Sequence, residues 1–271
     1  MKLAFIGGGN MAAALIGGLR RDPDPESPVQ IRVVERDAAR RQILERDWGV
    51  RTQANIDSTV GASQIVVLAV KPADMRAVCQ ELAPLAGNGA LLLSIAAGIP
   101  SAAIARWSGS DSVVRAMPNT PALIGQGITG LYARPGVDDA QRASATRVLQ
   151  GIGQAVWLPQ EDMLDAVTAI SGSGPAYVFY FIEALQDAAR QMGMETDQAR
   201  QFAVQTFVGA SQLAVQSAED VALLRERVTS KGGTTAAALA HLHSAQVGAT
   251  IGAAAFAALA RSREMAREYG N

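Results

Sequence analysis

The sequence predicts an α/β fold, a doubly wound parallel sheet over residues 1–160, followed by an all-α domain over residues 161–271. Three observations carry this. Up to about residue 160, short apolar runs that end at glycine or proline alternate with longer segments of helical period, as in a parallel sheet covered by helices. A glycine-rich turn lies directly between the first such run and the first helix. Past Glu161 the strand signals stop.

Taken in order, Lys2 to Ile6 is a strand that runs into three glycines, and Met11 to Arg20 is a helix. A loop from Asp22 to Pro28, with three prolines, leads to a second strand, Ile31 to Val34. Ala38 to Asp47 is helical. Ile65 to Val70 is an unbroken apolar run, the mark of a strand buried on both faces. Ala90 to Ile95 and Ser112 to Met117 read the same way. Met163 to Gly193 reads as a long helix interrupted at Ser171-Gly172-Ser173-Gly174-Pro175. Asp197 to Ser217 carries the stripe Ala199, Phe202, Ala203, Phe207, Ala210, Leu213, spaced by three and four. Two more helices follow the loop Thr229 to Thr235.

Composition narrows the function. A chain of 271 residues has room for one large or two modest domains, and 49% apolar with 18% charged residues is globular. With 24 basic and 25 acidic residues there is no basic excess to track nucleic acid. A single cysteine, Cys79, excludes a disulfide scaffold and fits a reducing compartment, so a cytoplasmic location is expected. It reads as a small buried apolar residue. The only histidines, His241 and His243, lie on different faces of a helix and read as structural, so no metal site is expected. The uncharged stretches 166–182 and 244–260 are shorter than a membrane span, and the N-terminus has no leader-like segment. The cluster Tyr177, Phe179, Tyr180, Phe181 reads as core or interface.

Gly7-Gly8-Gly9-Asn10-Met11-Ala12 fits G-x-G-x-x-A in a strand–turn–helix setting, a Rossmann-like dinucleotide fingerprint. Gly7 permits the turn, Gly9 lets a pyrophosphate approach, and Ala12 lets helix and strand pack closely. A purely structural glycine turn is the alternative. At the second strand's end, Glu35 suits a ribose 2′-hydroxyl and Arg36 a 2′-phosphate, so NAD(H) and NADP(H) both remain open. Lys71 follows the buried strand, at the carboxyl end of the sheet where ligands bind.

Five segments then stand out: Ala69-Val70-Lys71-Pro72, Ser94-Ile95-Ala96-Ala97-Gly98, Arg115-Ala116-Met117-Pro118-Asn119-Thr120-Pro121-Ala122, Ser171-Gly172-Ser173-Gly174-Pro175-Ala176-Tyr177 and Thr229-Ser230-Lys231-Gly232-Gly233-Thr234-Thr235. Together they resemble the pyrroline-5-carboxylate reductase family, from Lys2 to about Glu268. The resemblance implies reduction of 1-pyrroline-5-carboxylate to L-proline with NADPH or NADH, the last step of proline biosynthesis. It implies a C-terminal dimerisation domain, with dimers that assemble further, often as decamers. It implies that Ile6, Gly7, Gly8, Gly9, Asn10 and Met11 cradle the pyrophosphate and that Arg36 and Asn55 lie near the adenosine ribose. Ala69, Val70, Lys71 and Pro72, with Ile95, Ala96 and Ala97, would line the path to the nicotinamide. Ser230, Gly232, Gly233 and Thr234 would hold the substrate carboxylate, and Thr235 would sit beside the ring nitrogen. Lys231 stands where the family often has proline, and Glu35 where many NADPH-using members have a small polar residue.

The residues make this chemistry reasonable. Gly232-Gly233-Thr234-Thr235 precedes a helical run expected from Ala236, where free amides and the helix dipole suit a carboxylate. Either threonine hydroxyl can cap the helix or face a ligand. An iminium is already electrophilic, so positioning rather than a strong acid can carry the rate. The competing enzyme, a 3-hydroxy-acid dehydrogenase, needs a lysine acid/base early in the helical domain, and residues 163–220 contain no lysine. A dinucleotide-sensing protein without turnover would have no need of the glycine–threonine loop.

Overall fold

The computed structural model describes residues 1–21, 28–85 and 89–270. The expected loop from Asp22 lies outside the described residues except at Pro28. The chain divides into two compact units, residues 1–173 with 258–271, and residues 174–257.

The first unit is built on one eight-stranded sheet. Its strands are β1 (Lys2–Ile6), β2 (Gln30–Val34), β3 (Arg51–Gln53), β4 (Ile65–Leu68), β5 (Leu91–Ser94), β6 (Val113–Met117), β7 (Gly127–Ala133) and β8 (Gly153–Trp157), in the spatial order β3-β2-β1-β4-β5-β6-β7-β8. β1 to β6 are parallel, as expected. β7 runs antiparallel to β6, and β8 is parallel to β7, so the sheet is mostly rather than wholly parallel. The cause is connection length. Residues 118–126 between β6 and β7 hold only a 3₁₀ turn, Thr120–Ile124, and a parallel crossover needs a dozen or more. β3, β7 and β8 carry weak signals: β3 is polar, and β7 and β8 include glycine.

Helices cover both faces of the sheet. α1 (Asn10–Arg21) and α6 (Asp139–Gln150) pack on one, against Leu3, Phe5, Val33, Val67 and Leu93. α3 (Ser58–Gly61), α4 (Met75–Leu82) and α5 (Ser101–Ser108) pack on the other, against Ala4, Ile6, Val66, Leu68 and Leu92. Successive strand residues point to opposite faces, which is why these runs are apolar at every position. Each fully buried Leu, Ile or Phe contributes about 1.5–3 kcal/mol of transfer free energy. Cys79, on α4, is buried in the second of these layers, and burial pushes its thiol up to about 12. α2 (Ala38–Trp48) starts at Asp37, whose carboxylate accepts the amides of Ala39 (2.8 Å) and Arg40 (3.3 Å).

The strand signals were expected to stop at 160/161, and β8 is the last strand. Compactness divides the chain elsewhere, because helical segments on both sides of the second unit pack on the sheet unit. α7 (Met163–Val167) lies against β7 and β6. A π-helical turn, Thr168–Gly172, follows, closed by the Ser173 amide on Thr168 O at 2.8 Å. The last turns of α12 (Val247–Tyr269) also return: Ser262 donates to Asp165 at 2.7 Å, and Met265 packs on Gly98.

The second unit holds α8 (Gly174–Gln191), α9 (Thr196–Gln216), α10 (Val221–Arg227), α11 (Thr234–Ser244) and the first part of α12. The break at the glycine–proline segment falls where expected. Phe181 stacks on Phe207, with centroids 6.5 Å apart. The expected stripe on α9 buries only Ala199 and Ala203, and Phe202 and Leu213 are exposed. The aromatic cluster is likewise not a core, since Phe179 and Tyr180 are exposed. With Val215 and Phe256 also exposed, this chain alone leaves the helical unit with an uncovered apolar surface. No single helix among the described residues is long and apolar enough to cross a membrane.

Candidate active site

The carboxyl ends of β1 to β4 enclose a cavity of about 370 Å³. It lies at the switch point, where the chain order reverses about β1. Gly7 makes it possible. Its φ is +97°, its amide donates to Val34 O at 2.8 Å, and a Cβ there would lie 2.6 Å from Ala69 O. No side chain fits between the ends of β1 and β4. At Gly9 an added Cβ would meet only Arg40 Nη1, at 3.8 Å, so the loop backbone is open on that side. α1 starts at Asn10 with no acidic residue in its first turn, leaving its orphan amides to an anion. An open glycine loop on a free helix N-terminus fits a pyrophosphate, so the residues suit a dinucleotide.

The adenosine end is defined by the turn after β2. Glu35 Oε2 accepts the Gly8 amide and Oε1 the Asp37 amide, both at 2.9 Å. Glu35 therefore braces the glycine loop against the turn, a role not foreseen. A carboxylate has about four acceptor positions, so two remain for a ribose hydroxyl. Arg41 Nη1 donates to Glu35 O (2.8 Å) and Arg36 O (2.9 Å), fixing the turn from below.

Of the cofactor residues expected from sequence, Ile6, Gly7, Gly9, Glu35, Arg36, Asn55, Ala69, Val70 and Lys71 line this one cavity. Gly8, Asn10, Met11, Pro72, Ile95, Ala96 and Ala97 do not. Gly8 is turned inward, where a Cβ would strike Leu44 at 2.6 Å. Ile95 donates its amide to Leu68 O at 3.2 Å and leads into the β5–α5 loop beside the cavity. The sequence reading missed Arg40, which lines the cavity from the first turn of α2. It also missed Ile56 and Val78, apolar walls suited to a flat base, and the acids Asp74 and Glu81.

The β5–α5 loop is held by Glu161. Its carboxylate accepts the Ser101 amide at 2.6 Å, the Ser101 hydroxyl at 2.5 Å and Arg115 Nη1 at 2.8 Å. Burial pushes this carboxyl up, but the Ser101 bonds and the Arg115 guanidinium outweigh it and hold it below the ordinary glutamate value.

In the second unit, the loop before α11 has its own geometry. Gly232 has φ +72°, and the Gly233 amide donates to Ser230 O at 3.1 Å. A Cβ at Gly233 would collide with Ser230 Oγ. The helix starts at Thr234, not Ala236, so both threonines occupy its first turn. Gly233 is the N-cap and no side chain caps the helix. Of the two uses open to the threonine hydroxyls, neither caps the helix, and among the described residues no hydrogen bond holds either side chain. The loop thus offers free amides, two free hydroxyls and the exposed Lys231 at one helix N-terminus.

Known proteins resemble this chain in sequence and fold. A family model for pyrroline-5-carboxylate reductase dimerisation matches residues 161–265, and one described as NADP oxidoreductase coenzyme F420-dependent matches residues 2–98. The pyrroline-5-carboxylate reductase of Pseudomonas aeruginosa is 44% identical over 270 residues, spanning 99% of this chain and 98% of that protein. A solved pyrroline-5-carboxylate reductase from Coxiella burnetii superposes with a TM-score of 0.90 at 37% identity, covering 97% of each chain. The Plasmodium falciparum pyrroline carboxylate reductase, solved with NADP bound, gives 0.83 at 27% identity over 98% of each chain. The chain belongs to the pyrroline-5-carboxylate reductase family.

Proposed function

We infer that both site regions serve one reaction, the reduction of 1-pyrroline-5-carboxylate to L-proline with NAD(P)H, the activity of the family to which the chain belongs. The observation that carries this reading is the pairing, in one chain, of a glycine loop open to a pyrophosphate with an uncapped glycine–threonine helix start suited to a small carboxylate. Bound in the first cavity, NAD(P)H supplies the hydride.

The chain's own residues bind and orient. The amides of Gly9 and of the first turn of α1 hold the pyrophosphate. Arg36 and Arg40 are placed to take a 2′-phosphate, while Glu35 can accept from an unphosphorylated ribose, so both cofactors are used. The amides after Gly232 and the Ser230 and Thr234 hydroxyls hold the substrate carboxylate. Thr235 donates a hydrogen bond to the ring nitrogen. The imine carbon accepts a hydride and the nitrogen a proton, giving the secondary amine. The iminium form arrives with that proton, so no buried acid is required of the protein, and ring placement carries most of the acceleration, an effect worth about 7–11 kcal/mol.

The uncovered apolar face of the helical unit supports a homodimer built through it, within a larger ring such as a decamer. The loop assignment is tested by two substitutions. Gly233→Val should raise KM for the substrate, because a side chain displaces Ser230. Thr235→Ala should lower kcat roughly 5- to 150-fold, since one hydrogen bond of about 1–3 kcal/mol matters most as the hydride arrives. Full kcat and unchanged KM in Thr235→Ala and Thr235→Ser would remove Thr235 from the site.

A further inference from the structure

The amino-terminal ends of β1, β2 and β3, opposite the cofactor cavity, frame a second cleft of about 540 Å³. Lys2, Arg20, Arg32 and Arg51 line it, and among the described residues no acid does. The chain as a whole has a net charge of −1, so this is a local concentration of cations and not a general basic excess. Two of them are held side by side. The β2–β3 register pairs Arg32 with Arg51, which sets both side chains on one face of adjacent strands. Like charges placed so repel and weaken a sheet unless an anion lies between them.

Among the described residues none of the four cations forms an ion pair, and the side chains of Lys2 and Arg51 have no hydrogen-bond partner. Arg20 Nη1 donates to Val29 O at 3.4 Å, and Arg32 Nη1 to Gln53 Oε1 at 2.9 Å. The acid within reach of Arg32's field, Asp57, is engaged by the Thr59 hydroxyl and amide and does not line the cleft.

We propose that this cleft binds an oligophosphate chain, carried by a nucleoside triphosphate or free as inorganic polyphosphate. The volume falls in the range of small-molecule sites. The guanidinium forks of Arg32 and Arg51 match successive phosphate oxygens, and Lys2 and Arg20 add charge.

The cleft is wired to the cofactor cavity. Gln53, which accepts from Arg32, donates its Nε2 to Asn55 O at 2.7 Å, and its own carbonyl accepts the Glu35 amide at 2.9 Å. Asn55 and Glu35 both line the cofactor cavity. A phosphate on Arg32 competes with Gln53 for the guanidinium and shifts the strand end that carries these two residues. Oligophosphate binding and NADP⁺ binding are therefore coupled, and the coupling is reciprocal.

The test is calorimetric titration of the full-length protein, saturated with NADP⁺ in metal-free buffer, with inorganic tripolyphosphate, ATP or sulfate at matched ionic strength. One tripolyphosphate site per chain is expected beside bound NADP⁺. The double variant Lys2→Gln/Arg51→Gln should weaken it by about tenfold or more, the scale of a lost charge-assisted bond, while Arg76→Gln leaves it unchanged. Both replaced side chains are exposed, and an unchanged circular dichroism spectrum shows that the variant folds. Tighter binding of ATP than of tripolyphosphate identifies a nucleotide, and equal binding the phosphate chain alone. Saturating tripolyphosphate should shift NADP⁺ affinity severalfold in the natural protein and not in the double variant. No binding beyond that of sulfate, unchanged binding in the double variant, or displacement by NADP⁺ each overturns the site. Binding that leaves NADP⁺ affinity unchanged overturns the coupling.

Discussion

Replacing Glu161 with Ala tests how the β5–α5 loop is held. The substitution removes the acceptor of three hydrogen bonds and leaves Arg115, whose side chain is only 11% exposed, without its carboxylate. Breaking a buried pair by removing one partner costs about 3–5 kcal/mol. Glu161 is itself 26% exposed, and solvent screening places the loss toward the lower end of that range. The pH dependence follows from the depressed folded-state value. A carboxyl with a folded pKa below its unfolded one contributes stability that is present above the unfolded pKa. That stability is lost as the pH falls through the folded pKa. Urea unfolding of both proteins, at one protomer concentration because the family dimerises, should therefore show a gap of about 3 kcal/mol at pH 7. The gap should shrink as the pH drops below the ordinary glutamate range. A gap that stays constant into acid would show that the loss is one of packing alone, and the reasoning about Glu161 would be wrong.

Other outcomes follow from the same geometry. Arg36→Ala should raise KM for NADPH about 10- to 100-fold more than KM for NADH, the scale of a charge-assisted bond, and Arg40→Ala should act in the same direction. Equal changes for both cofactors would remove these arginines from the 2′-phosphate. Glu35→Gln should weaken NADPH as well as NADH, because the carboxylate braces the Gly8 amide; weakening of NADH alone would leave only the ribose role. Light scattering at micromolar concentration should show a dimer or larger assembly, and an active monomer would contradict the reading of Phe179, Phe202 and Phe256 as interface.

The sheet's parallel half was legible because its strands are buried on both faces and read as unbroken apolar runs. Ile65–Leu68 and Leu91–Ser94 are both wholly buried. β7 and β8 were not, since glycine and alternating exposure blur their pattern, and the reversal at β7 depends on a short connection that periodicity does not report. The glycine loop was readable because backbone sterics demand glycine at Gly7. Arg40 was hidden among the charges of α2, and only the fold, which brings the first turn of α2 to the cavity, singles it out. The brace made by Glu35 could not be read either, because the carboxylate reaches back across 27 residues to Gly8. At the substrate loop the composition announced an anion site. The choice of Gly233 over either threonine as the cap was a matter of where the first helical turn begins.

The most direct test is initial-rate measurement with 1-pyrroline-5-carboxylate, following cofactor oxidation with NADPH and with NADH and quantifying proline. The account predicts turnover with both cofactors and one proline formed per cofactor oxidised. Absence of oxidation with either, from a folded protein that still binds NADP⁺, would contradict it.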